Sequence, residues 1–164
     1  MQIKIHQEGW VYFIVCSVLA IICFPFFSII GFFLLVLSAY IFYFFRDPNR
    51  VVPIEDVIVA PADGLITYIG ECEAPKECKT KKKFIKISIF LNIFNVHVNR
   101  MPVAGKIKNI IYVPGKFINA TLEKSSLDNE RNIIIVEKDN KDIFVVSQIA
   151  GLITRRIVCN LKIN

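Results

Sequence analysis

Histidine is scarce in this chain. His6 lies in a short polar lead, and His97 lies in the stretch Ile87 to Pro102, which opens apolar and closes polar. An imidazole takes or gives a proton near neutral pH. Asn92, Asn95, Asn99 and Arg100 surround His97 in sequence and could orient a ring or hold an anionic group. They could equally satisfy a structural histidine at the end of a strand. Asp63, in the turn Pro61-Ala62-Asp63-Gly64, is the second candidate. It is either an acid that orients and charges a histidine or a carboxylate bonded to its own turn. Lys79 to Lys83 and Arg155-Arg156 read as solvated basic clusters, or as contacts for anionic headgroups or a phosphate. The five cysteines are odd in number and contain no Cys-x-x-Cys, so neither a disulfide framework nor a metal site is expected.

Two kinds of element must position these residues. From Trp10 to Phe45 the chain carries no charge. Pro25 divides this run into 10–24 and 26–45. The second part has the length that spans a bilayer core, and the first is shorter. One continuous helix would be far too long for a single span, so a transmembrane helical hairpin bent at Pro25 is predicted. Lys4 before it and Arg46 and Arg50 after it place both flanks on the cytoplasmic side of a cell membrane. A signal peptide over 10–24 is the rival reading, but no small-residue cleavage motif follows. Residues 1–50 are thus expected to form the anchor and 51–164 a single β-rich domain. Strands are expected at Val57 to Ala60, Leu65 to Ile69, Phe84 to Phe90, Lys106 to Val113 and Leu152 to Cys159. Ile133 to Glu137 and Ile143 to Ile149 should pair as a hairpin around Lys138-Asp139-Asn140-Lys141-Asp142.

Hydrophobic residues make up 54% of the chain and the net charge is +6. A basic domain tethered to a membrane meets anionic lipid first, so phospholipid is the expected partner and nucleic acid is not.

Five segments together resemble the short, membrane-bound bacterial phosphatidylserine decarboxylases. They are Phe44 to Arg50, Ala60 to Gly64, Ser88 to Pro102, Pro114 to Ala120, and Gln148 to Ile153 running on through Arg155 to Cys159. The resemblance implies a proenzyme that cuts itself at a Gly-Ser bond, leaving a pyruvoyl group on a small C-terminal subunit. That cofactor would drive conversion of phosphatidylserine to phosphatidylethanolamine and carbon dioxide. By position, His97 matches the histidine that reprotonates the decarboxylated carbon, and Asp63 the aspartate of self-cleavage. Asn95, Asn99 and Arg100 are the expected substrate contacts, and a homo-oligomer is possible within the family.

Two departures stand out. Larger members carry a second histidine where this chain has Arg100, and arginine cannot serve as a base. The chain also contains no Gly-Ser dipeptide. It resembles a large subunit that lacks the pyruvoyl-forming serine; a catalytically inactive, membrane-anchored β domain that binds lipid or a partner is the alternative. The isolated chain is therefore expected to have no decarboxylase activity. Formation of ethanolamine lipid by the purified chain alone, followed by chromatography, would refute this.

Overall fold

The computed structural model describes residues 3–78, 80, 82–118 and 125–163. Lys79 and Lys81 of the basic run, and Asn119 and Ala120 of the fourth family segment, lie outside them. The chain folds as two compact units, each drawn from two stretches. One is Met1–Leu65 with Leu91–Arg100; the other is Ile66–Phe90 with Met101–Asn164.

The first unit is a helical hairpin closed at its mouth. Strand β1 (Ile3–Ile5) pairs antiparallel with β2 (Arg46–Pro48), in the register Ile3 to Pro48, Lys4 to Asp47 and Ile5 to Arg46. Helix α1 (Gln7–Cys23) begins at His6, whose Nδ1 accepts the Glu8 amide, and Glu8 sits favourably at the positive end of the helix dipole. The chain turns at Phe24 to Phe27 and continues as α2 (Ser28–Phe44).

Small residues line the seam between the helices. A Cβ on Gly31 would lie 2.6 Å from the Phe24 Cα. The Ser17 and Ser38 hydroxyls bond at 2.6 Å, and Cys16 Sγ donates to the Leu34 carbonyl at 3.3 Å. Small residues here let the two backbones approach closely. The outer faces are apolar all round, with Ile14, Ile21, Ile29, Phe33 and Val36 exposed.

The expected bend is present, but the two spans are not. Each helix has 17 residues, or about 25 Å of rise, against about 30 Å of bilayer hydrocarbon. Among the described residues no helix is long and apolar enough to cross a membrane. The turn takes up apolar residues that the sequence reading had assigned to helix.

The second unit is β-rich. Strand β3 (Leu65–Glu73) pairs with β4 (Lys83–Phe90) as a two-stranded ribbon that exposes Ile66, Ile69, Ile85 and Ile87. Strands β5 (Lys106–Val113), β6 (Arg131–Glu137) and β7 (Ile143–Ile149) form an antiparallel meander with a bulge between Ile107 and Asn109. The predicted β6–β7 hairpin is correct, with pairing from Glu137 and Ile143 back to Arg131 and Ile149. Val103, Ile107, Ile134 and Val136 form the core, with Phe144, Val146 and Cys159 packed against it. Val57 to Ala60 and Leu152 to Cys159, expected as strands, are irregular segments. In the latter, Gly151 and Thr154 close a short turn that takes the chain out of the extended path. All five cysteines are free thiols.

Asn129 is fully buried and satisfied. Its Oδ1 accepts the Ile118 amide at 2.9 Å, and its Nδ2 donates to the carbonyls of Ile118 at 2.9 Å and Ala150 at 2.8 Å. One side chain thereby joins two family segments that are far apart in sequence. Asn129→Ala should leave those backbone groups unpaired and lower stability by about 3 kcal/mol. Urea denaturation of the detergent-solubilised chain, followed by circular dichroism, measures this.

Candidate active site

Every described contact of the His97 ring lies within the first unit. Tyr40 and Phe44 are four residues apart, so they share one face at the C-terminal end of α2. Arg46 follows in β2. Against this face packs the loop Leu91–Arg100, whose shape comes from an asparagine turn. The Asn92 side chain accepts the Phe94 amide at 2.8 Å, and the Asn95 side chain accepts the Asn92 amide at 2.8 Å. Val96 is buried beside them.

Three consecutive loop carbonyls are each gripped by a different side chain. Tyr40 Oη donates to the Ile93 carbonyl at 3.0 Å. Arg46 Nη2 donates to the Phe94 carbonyl at 2.8 Å, while Nη1 donates to the Tyr43 carbonyl at 2.7 Å and the guanidinium lies 3.7 Å above the Tyr43 ring. His97 Nδ1 meets the Asn95 carbonyl at 3.0 Å. The imidazole stacks on Phe44, with centroids 4.3 Å apart and planes 25° apart.

This geometry assigns the proton. A carbonyl oxygen only accepts, so Nδ1 of His97 carries hydrogen and Nε2 is left as the reactive atom. Burial pushes the imidazole below its ordinary value of 6.5. The Asn95 hydrogen bond opposes that, and the positive charge of Arg46 adds to it. At neutral pH His97 is an uncharged base at Nε2. A proton it has taken up there is held weakly and given readily.

The other predicted site residues have different partners. Asp63 sits before Gly64, whose φ of 151° suits glycine, and its carboxylate is 2.5 Å from Arg50 Nη2 rather than on His97. Arg100 Nη2 bonds the Asp47 carboxylate and, at 3.2 Å, the Pro48 carbonyl, with the side chain partly exposed. The Arg100 amide donates to the Pro61 carbonyl at 2.8 Å. This residue ties the linker to the loop, the kind of work a multi-donor fork does well. Asn95, expected to touch substrate, builds the turn and orients His97 through its backbone. Asn99 is half-buried.

Tyr40, Phe44, Arg46 and Arg50 were not among the sequence candidates. The signal was there for three of them, because Phe44, Arg46 and Arg50 belong to the first family segment. In the second unit, Lys83 of the basic run faces Glu71 at 3.4 Å, and Arg155 lies 5.8 Å from the Phe117 ring. Among the described residues, no three His, Cys, Asp or Glu side chains come together as a metal site.

The depressed affinity of His97 for a proton carries a stability cost in acid. The unfolded chain takes up that proton at the ordinary value and the folded chain only at lower pH. Stability should therefore fall as pH drops below about 6.5, and level off once the folded ring is also charged. Denaturant titrations across this range should show the slope, and His97→Gln should remove it.

The family model described as phosphatidylserine decarboxylase matches residues 37–164. The chain is 46% identical over 158 residues to the phosphatidylserine decarboxylase proenzyme of Pelagibacter ubique, covering 95% of this chain and 74% of that protein. It is 49% identical over 162 residues to the proenzyme of Ehrlichia chaffeensis, covering 97% and 70%. It is 45% identical over 160 residues to that of Rickettsia akari, covering 96% and 69%.

Proposed function

The chain belongs to the phosphatidylserine decarboxylase family, and on that footing we propose that it supplies the anchor and the acid–base histidine of an enzyme making phosphatidylethanolamine from phosphatidylserine. The observation that carries this is the mounting of His97. Its Nδ1 is fixed on the Asn95 carbonyl and its Nε2 is left uncharged and reactive in a half-buried setting. Loss of carbon dioxide leaves an electron pair on the substrate carbon, which must then take up a proton. Nε2 is the atom of this chain suited to bring it, by first taking a proton from solvent and then handing it to the carbon. Asp63, paired with Arg50, acts on backbone geometry around the Pro61–Gly64 bend.

The family's pyruvoyl group derives from the serine of a Gly-Ser bond. No serine of these 164 residues follows a glycine, and Ser17 and Ser38 are bonded to each other inside the hairpin. The residues present do not fit that group, so no step is drawn through it. A small subunit that bears it is the proposed partner, and a homo-oligomer of such pairs is compatible with the family.

The hairpin is the proposed membrane anchor, on the inner membrane of a bacterial cell. Its bend exposes Phe26 and Phe27 and its flanks expose Ile29 and Phe33, an apolar surface that water disfavours. Lys4, Arg46 and Arg50 stand at its open end, which favours a cytoplasmic mouth. The short helices suit a hairpin that enters from that one face with Phe24 to Phe27 innermost.

Reconstitution tests the assignment. Membranes containing this chain together with a relative's Gly-Ser-bearing C-terminal segment should convert labelled phosphatidylserine to phosphatidylethanolamine. His97→Ala in the same pair should slow conversion by roughly 10²- to 10⁴-fold. Equal rates with and without the imidazole would overturn the role given to His97.

A further inference from the structure

We propose that Tyr40, Phe44 and Arg46 are positioning residues for His97, so that the apolar hairpin is the mount of the imidazole as well as an anchor. For its catalytic meaning this rests on the function proposed above; the geometry stands without it.

The argument starts from what fixes a ring in space. An imidazole on a loop has two side-chain torsions and a flexible backbone beneath them. Here the backbone is fixed first. The carbonyls of residues 93, 94 and 95 are consecutive, and the first two are bonded by Tyr40 Oη and Arg46 Nη2. With those two held, the direction of the third is set. That third carbonyl is the one that receives Nδ1–H of His97. The Phe44 ring then closes one face of the imidazole at 4.3 Å. Rotating His97 away breaks the stack and the Nδ1 bond together. Arg46 could not simply be exchanged for lysine, because its two Nη atoms bond two carbonyls at once while its plane covers Tyr43.

The mount is itself fixed. Phe44 packs on Phe45 at 5.1 Å, Phe45 stacks on Tyr12 of α1 at 5.8 Å, and the Phe45 carbonyl receives the His6 amide at 2.8 Å. A lipid-facing role alone would ask only that these positions be apolar or interfacial. It would not ask for a hydroxyl aimed at one carbonyl and a guanidinium aimed at the next.

The full chain in detergent micelles provides the test, because two histidines give a ring spectrum that can be read directly. His97 is identified by its loss in His97→Gln, and His6 serves as internal reference. In the native chain the Phe44 ring current should shift the His97 ring protons upfield, and ¹⁵N shifts should report hydrogen on Nδ1. Among the described residues, the charge acting on the ring is that of Arg46. Phe44→Leu should move the His97 protons downfield and raise its titration midpoint towards the ordinary value, with His6 unchanged. Phe44→Tyr should restore both. Arg46→Met should raise the midpoint as well.

Should Phe44→Leu fail to fold, Tyr40→Phe, which removes one oxygen atom, decides alone through the same shift in the midpoint. A His97 signal that stays at its native shift and midpoint in Tyr40→Phe overturns the proposal. In the reconstituted pair, Phe44→Leu should lower kcat roughly 10- to 100-fold with KM little changed. If His97→Ala keeps full activity while the ring signals move as described, the assigned function fails and the mount stands.

Discussion

The stack of His97 on Phe44 is the contact that the rest of the first unit is arranged to hold. A half-buried imidazole can keep a single orientation only if one face and one nitrogen are both committed. Phe44 takes the face and the Asn95 carbonyl takes the nitrogen. Both commitments need the end of α2 and the loop Leu91–Arg100 held in register. The β1–β2 pairing does this for the helix end, by joining the chain just before α1 to the chain just after α2. The asparagine turn does it for the loop.

Charge around this centre is used mainly to hold chain to chain. Arg46 binds carbonyls, Arg50 binds Asp63, and Arg100 binds Asp47. The two ion pairs are substantially solvent-exposed, so each contributes at most about 1 kcal/mol to stability. Their value is geometric. They fix the path of residues 46–63, which has little regular structure beyond the short β2. Asp63 in particular leaves the histidine to burial, one carbonyl and a nearby positive charge.

Much of this was legible in the residues, and the failures have physical causes. Alternation of apolar and polar residues located β4, because a half-buried sheet imposes period two, and two β-branched runs flanking the polar turn Lys138 to Asp142 located the β6–β7 hairpin. Irregular Val57 to Ala60 and Leu152 to Cys159 misled because β-branched residues suit a strand without securing it a partner. Helix α2 came out shorter than its apolar run since composition cannot say where a turn takes up residues. His97 was singled out by its rarity and its neighbours. Tyr40 and Phe44 were missed because an aromatic at the end of an apolar helix reads as an interfacial residue. Only the return of the chain some fifty residues later reveals that a loop sits on them, and no local pattern encodes such a contact.

The first unit is discontinuous: the chain leaves it at Leu65 and re-enters at Leu91. During synthesis the hairpin, with its contacts between near neighbours, is complete before the ribbon β3–β4 has been made. The loop that carries His97 can dock only after that excursion closes, and closing it adds a loop entropy that the helices never face. The stacked and hydrogen-bonded imidazole is therefore the last feature this unit acquires. A nascent hairpin would have its aromatic mount exposed, with no imidazole upon it until the ribbon has formed.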